Sequence, residues 1–255
     1  MAVKRILEIL RGLKNRLLLI TETKHSAMSV THKEAMKWFE HRKAGYEELI
    51  SAITPYVNQD SVIFDIGANV GYFSFLLAEK IDFKGSMYLF EPLPNLANLC
   101  EETFRDAPYE SQVFNYGLSD KDSEMDIFVA SNGNLGWNTI VQSKTSEDME
   151  KVRIKLKQFE KCNIDAMPTF IKIDVEGAEY LVLRGMLESF RKWDFLPAIL
   201  CEVGWGTSHP QWAEELEVFE ELKKIGYSIC DLSGAEIDVN SLTSTTDILL
   251  IPKKS

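Results

Sequence analysis

Hydrophobic and polar positions fall into blocks along this 255-residue chain, and the period of the blocks changes as the chain proceeds. Val62 to Ile66 is a short apolar run with the length and β-branched content of a buried strand. After Gly67 and Gly71 the spacing becomes helical, with Phe73, Leu76 and Leu77 on one stripe. Ser86 to Phe90 and Gln112 to Tyr116 read as further strands. Asn95 to Phe104 reads as a helix facing inward through Leu96, Leu99 and Cys100. Strict alternation returns at Glu124 to Val129 and Val152 to Gln158, which predicts an antiparallel excursion with an irregular loop, Ser131 to Asn138, between. Strands are then expected at Thr169 to Ile173, Pro197 to Cys201, Tyr227 to Asp231 and Asp247 to Ile251, and helices at Ala178 to Phe190 and Trp212 to Ile225. Strands alternating with helices predict an α/β protein whose mostly parallel sheet is covered on both faces.

Upstream of these blocks the pattern is helical throughout. Ile6, Ile9, Leu10, Leu13, Leu17 and Ile20 trace one face of a helix, with Lys4, Arg5, Arg11, Lys14 and Arg16 elsewhere. No uncharged run there reaches the length of a membrane span, and Leu17 to Ile20 is too short for the core of a signal peptide. This helix either packs on the following domain, lies on an anionic membrane surface, or docks a partner. A second helical piece, about Thr31 to Ala52, carries Trp38, Phe39, Tyr46 and Leu49 and is expected to cap the ligand pocket. The organisation expected is a helical extension over 1–57 and one domain over 58–255.

Charge sharpens this division. The net charge is −11, yet residues 1–43 hold ten Lys/Arg against four Asp/Glu. The acidic remainder argues against a general nucleic-acid binder. Cys100, Cys162, Cys201 and Cys230 are far apart and form no C-x-x-C, so they read as small core residues in a reducing, cytoplasmic setting.

Candidate chemistry begins at the strand–glycine turn–helix segment around Asp65-Ile66-Gly67-Ala68-Asn69-Val70-Gly71. Such a turn lets backbone approach a ligand, and the helix N-terminus offers unpaired N–H groups. Asp65 stands just before the turn, where its carboxylate would accept donors from the ligand. Glu91 closes the next strand, 20 residues after Gly71, followed by Pro92. An acidic residue at that distance in a nucleotide-binding βαβ unit accepts both hydroxyls of a ribose. The turn lacks the G-x-G-x-x-G of a dinucleotide site, and no P-loop is present. Asn69 suits an amino-acid group better than a diphosphate. S-adenosylmethionine, with a ribose and an amino-acid tail but no phosphate, therefore fits better than NAD.

The turn resembles motif I of class I S-adenosylmethionine-dependent methyltransferases, specifically of the FkbM type. The resemblance continues in order through FEPLPN (Phe90 to Asn95), NYGLSD (Asn115 to Asp120), GWNTI (Gly136 to Ile140), FIKIDVEGAEYLVLRG (Phe170 to Gly185) and LCEVGW (Leu200 to Trp205). It implies a doubly wound, seven-stranded, Rossmann-like sheet with an antiparallel last strand, and S-adenosylmethionine as methyl donor. It also implies, usually, O-methylation of a glycan or secondary metabolite. By this resemblance Asp65, Gly67, Ala68, Asn69, Gly71, Tyr72, Glu91 and Pro92 line the cofactor site, and Gly117 and Leu118 pack on its base.

Asp174, Glu176 and Glu202 also fall at strand ends, beside the expected methyl group. A hydroxyl acceptor must lose its proton, and one of these carboxylates would serve as base. Alternatively Asp174 and Glu202 would hold Mg²⁺, at positions resembling the metal site of catechol-type O-methyltransferases; the FkbM resemblance does not require a metal. Lys172 would balance these acids, for example through a salt bridge to Glu176. His209 sits in a stretch that would reach the pocket if flexible, and Trp205 would stack on a sugar or simply pack. The competing functions are an NAD-dependent oxidoreductase, disfavoured by the altered glycine turn, and a catalytically silent scaffold.

Overall fold

The computed structural model describes residues 30–130, 138–139 and 149–253. The basic helix considered at 1–20 and most of the loop at 131–138, including Trp137, lie outside the described residues. In chain order the elements are α1 (His32–Glu40), α2 (Lys43–Ile53), β1 (Val62–Ile66), α3 (Tyr72–Ile81), β2 (Ser86–Phe90), α4 (Pro94–Phe104), β3 (Glu110–Phe114), β4 (Gly117–Ser119) and β5 (Ser123–Ala130). They continue with β6 (Asn138–Thr139), β7 (Met149–Gln158), β8 (Phe170–Ile173), α5 (Glu179–Lys192), β9 (Ala198–Val203), α6 (Trp212–Ile225), β10 (Tyr227–Cys230) and β11 (Thr246–Pro252).

β1, β8 and β9 are buried at nearly every position, as parallel strands covered on both faces must be. They lie at the centre of a seven-stranded sheet of order β10-β11-β9-β8-β1-β2-β3. From β3 to β9 all neighbours are parallel, whereas β11 runs antiparallel to both β9 and β10. Successive side chains leave opposite faces. Ile63, Met87, Phe170 and Leu200 join Leu77 of α3 and Leu96 and Phe104 of α4 in one core. Phe64, Phe90, Ile171 and Cys201 join Leu183 and Phe190 of α5 and Leu222 of α6 in the other. By the same alternation Asp65 and Lys172 both face α3, and they are direct register partners across β1 and β8.

The piece expected as one helix over about Thr31 to Ala52 is two. A capping box opens α1, in which the Thr31 hydroxyl accepts from the Glu34 N–H while the Glu34 carboxylate accepts from the Thr31 N–H. Arg42, at φ −107° and ψ 1°, interrupts the helical path before α2 begins. Both helices belong to the α3-side core, since Ala35, Phe39, Ile50 and Ile53 are each at most 3% exposed and cluster with Leu76 and Leu77.

The third core strand ends two residues earlier than its apolar pattern suggests. The Tyr116 N–H bonds the Phe114 carbonyl, which turns the chain into β4. β5 and β7 form the expected antiparallel pair, from Ser123 opposite Leu156 to Ala130 opposite Met149. β4 adds to β7 in parallel, making a second sheet of order β4-β7-β5-β6. That sheet stands at the carboxyl edge of the main one and brings Ile127, Ile154 and Leu156 to it.

Gly67 joins β1 to this edge at φ +82°, and a Cβ on it would lie 1.9 Å from the carbonyl oxygen of Asp174. Both the left-handed backbone and the contact exclude a side chain. Gly67→Ala is expected to cost more than about 2 kcal/mol, read as a lower urea midpoint at constant m-value. An unchanged midpoint would show that the turn and the β8 end can move apart.

Candidate functional site

Strand order reverses between β1 and β8, the point at which open α/β sheets bind ligands. A cavity of about 240 Å³ opens there. The turns after β1, β2 and β8 supply its floor, Glu202 and Asp247 one wall, and Trp38, Phe39, Arg42 and Tyr46 of the two N-terminal helices its roof.

Under the floor lies Lys172, 4% exposed. Its Nζ stands 3.3 Å from Asp65 Oδ1 and 3.2 Å from Asp174 Oδ2. Burial works against the ammonium, but the two carboxylates prevail and hold its pKa above the usual lysine value. Asp65 is fully buried, and its other oxygen accepts a 2.6 Å hydrogen bond from the Ser74 hydroxyl. The expected Lys172–Glu176 bridge is replaced by this Asp65–Lys172–Asp174 chain, because alternation sends Asp65 and Lys172 to the same face of the sheet.

The glycine turn and Glu91 form a second unit. Asn69 adopts φ +54° and Gly71 φ +77°. The Glu91 carboxylate accepts the N–H of Asn69 at 2.9 Å through one oxygen and that of Leu93 at 2.8 Å through the other. Burial raises its pKa to about 7, against the lowering effect of those two N–H groups. The carboxylate is thereby fixed at the cavity wall with lone pairs remaining on both oxygens. Beside it, Ile66, Pro92, Leu118, Ile127, Ile154 and Leu156 enclose an apolar slot of a kind that accepts a flat ring.

Across the cavity Asp174, Glu176 and Glu202 each place a carboxylate oxygen within 4.8 Å of the others, a set that could chelate a hard divalent cation. Glu176 holds φ +56° to do so. Glu202 Oε2 is buried without a hydrogen-bond partner among the described residues. Burial first, and then the negative charge of Asp174, push the pKa of both glutamates well above the carboxylate range. Asp247, opposite Glu202 across β11 and β9, is raised to about 6 by burial and then by Asp174. The loop carrying these acids is stapled from below by Glu179, 4% exposed, whose carboxylate accepts the N–H groups of Val175 at 3.2 Å and Gly177 at 2.9 Å.

This geometry coincides with a family match. Residues 65–229 fit the model of the methyltransferase FkbM domain. The chain belongs to the FkbM methyltransferase family. It is also 24% identical over 155 residues to the hexuronic acid methyltransferase AglP of Haloferax volcanii, a match covering 60% of this chain and 61% of that protein. Among solved structures it is similar to a putative rRNA methylase from Clostridium thermocellum (TM-score 0.49, 10% identity, 81% of this chain and 94% of that one). It is likewise similar to the magnesium protoporphyrin IX methyltransferase ChlM of Synechocystis PCC 6803, solved with S-adenosylmethionine (TM-score 0.48, 8% identity, 84% and 80%).

In this member of the FkbM family the sequence-derived site residues divide into two groups. Gly67, Ala68, Asn69, Tyr72, Glu91, Pro92, Lys172, Asp174, Glu176 and Glu202 line the cavity, and Gly117 and Leu118 line the adjoining apolar slot. Asp65 and Gly71 line neither. Asp65 is consumed by Lys172 and Ser74, and a Cβ on Gly71 would meet the Phe104 ring at 2.4 Å, so that glycine serves the packing of α3 on α4. Tyr72 donates its hydroxyl to Glu40 and stacks on Phe39, so it holds the roof as well as the wall. His209 does not reach the cavity. It is 3% exposed, with Nδ1 2.9 Å from Glu215 Oε1 and Nε2 3.1 Å from the Gly177 carbonyl oxygen. Burial opposes its charge, but the Glu215 carboxylate prevails and raises its pKa. Trp205 stacks on His209. Arg42, Asp247 and Glu179 were not singled out from sequence. Asp247 had a usable signal, since an antiparallel last strand starts where its parallel neighbours end.

Lys172→Met removes the only cation paired with buried Asp65 among the described residues, and is expected to destabilise the fold by about 3–5 kcal/mol in denaturant titrations. The double variant Asp65→Leu, Lys172→Met should recover much of that loss. Equal instability of both variants would show that the lysine stem, not its charge, matters there.

Proposed function

We propose that this chain is an S-adenosylmethionine-dependent O-methyltransferase acting on a hydroxyl of a glycan or a related natural product. The observation that carries the reading is Glu91: a carboxylate fixed by two backbone N–H groups at the end of β2, between an apolar slot and a cluster of acids. That donor and acceptor set fits the cofactor. Glu91 offers two acceptors for a ribose diol, the slot suits adenine, and Asp174, Glu176 and Glu202 favour positive charge nearby. Bound there, S-adenosylmethionine supplies an activated methyl group on a sulfonium.

The residues' own task is then alignment and proton removal. Asp174 is pinned by Lys172, which leaves Glu176 and Glu202 to receive the acceptor's proton. Their raised basicity suits that role. A hydroxyl acceptor needs such a base, whereas a carboxylate acceptor, already deprotonated, does not. The glycan class rests on the similarity to a protein named for hexuronic acid, of which the match spans 61%. Four free cysteines accord with a cytoplasmic setting. No helix among the described residues is long and apolar enough to cross a membrane.

Calorimetry with S-adenosylhomocysteine should show binding to wild type, none of NAD, and a loss of about 1.5–3 kcal/mol for Glu91→Ala, the range for hydrogen bonds to a charged group. Absence of binding to wild type would overturn the reading in favour of a silent scaffold.

With an acceptor in hand, whichever of Glu176→Gln and Glu202→Gln removes the base should lower kcat by about 10²–10⁴-fold while leaving that affinity in place. Because the folded-state pKa values are raised, the basic form is gained as pH rises, so kcat should climb above neutrality and then level. Activity should survive EDTA. Loss on chelation that Mg²⁺ restores would reassign Asp174, Glu176 and Glu202 as metal ligands.

A further inference from the structure

Acidic side chains outnumber basic ones around the cavity. Five acids line it, Glu91, Asp174, Glu176, Glu202 and Asp247, against Lys172 and Arg42. Lys172 is buried between Asp65 and Asp174, and its charge is matched by theirs. Arg42 is different. It is exposed, forms no ion pair among the described residues, and lays its guanidinium carbon 3.5 Å from the centroid of the Trp38 ring. Stacking holds the planar group in place while its N–H edge stays open for a planar anion.

Its placement is specific. Arg42 stands at the break between α1 and α2, whose aromatic residues pack on the first turn of α3. The ring centroids of Phe39 and Tyr72 are 5.6 Å apart, those of Tyr46 and Tyr72 5.7 Å, and those of Tyr46 and Phe73 6.3 Å. Tyr46 in turn feels the charges of Asp174, Lys172 and Arg42. Arg42 therefore overlooks the glycine-turn end of the cavity, where α3 begins. The apolar slot formed by Pro92, Leu118 and their neighbours lies on the other side of Glu91. A ligand with its base in the slot and its ribose on Glu91 must send its remaining arm towards the roof.

Resting on the cofactor reading above, we propose that Arg42 binds the α-carboxylate of S-adenosylmethionine, so that the break between α1 and α2 is part of the cofactor site. Across the cavity Asp174 repels that carboxylate, and Arg42 is the exposed cation on the cavity lining that can pair with it.

The test is calorimetry on the full chain with two probes, S-adenosylhomocysteine and its decarboxylated analogue, which keeps the adenosyl and amine groups. Wild type should prefer S-adenosylhomocysteine. Arg42→Ala should weaken it by roughly 10- to 100-fold, as expected for a charge-assisted pair, and leave the analogue's affinity unchanged. Arg42→Lys should restore part of the loss. Equal weakening of both probes would overturn the assignment in favour of a packing role, and no weakening of either would leave Arg42 to an anionic group of the acceptor. If wild type binds neither probe, the cofactor reading falls and this assignment with it.

Discussion

The site depends on one buried ammonium. Lys172 joins β1 to β8 at the point where the sheet reverses direction, and it does so with charge rather than with packing. Without it, Asp65 would be an uncompensated carboxylate inside an apolar core, a costly state. With it, a negative charge is shared along a line from Ser74 through Asp65 and Lys172 to Asp174, where it emerges at the cavity floor. The arrangement makes the floor sensitive to the pairing of β1 with β8.

The same device recurs at the turns. Glu91 and Glu179 each follow a core strand, are nearly buried, and spend their oxygens on backbone N–H groups of a tight loop. Carboxylates used in this way are loop staples. Glu91 also faces the cavity, so one side chain both shapes the turn and presents an acceptor, and its geometry is set before any ligand arrives. Glu179 does only the first of these jobs. Beneath it, the His209–Glu215 pair reaches the same loop through the Gly177 carbonyl, which ties α6 to the acid cluster from behind.

Much of this was legible in the sequence because local patterns and strand ends carry it. The β1–turn–α3 unit, Glu91 and the three acids at Asp174, Glu176 and Glu202 all follow from where apolar runs stop. What escaped depends on partners distant in the chain. Asp65 sits at the right strand end, but its direction is fixed by alternation and by Lys172, 107 residues away. Gly71 has the spacing of a ligand glycine, yet its empty face meets Phe104. His209 lies in a stretch that reads as loose. In fact Gly206 at φ +52° approaches the Leu242 carbonyl so closely that the segment is packed, and the imidazole turns inward. Arg42 carries no local signal, because its value comes from the charges already spoken for around it.

The core that α1 and α2 share with α3 has a consequence for how the chain can be divided. Phe39, Ile50 and Ile53 are buried as deeply as the sheet residues they join. A cut after residue 57 would not release a self-contained unit; it would strip one wall from the hydrophobic interior and expose Leu76 and Leu77 to water. The roof is accordingly part of the same interior as α3, so a substitution on one side alters what the other must pack against.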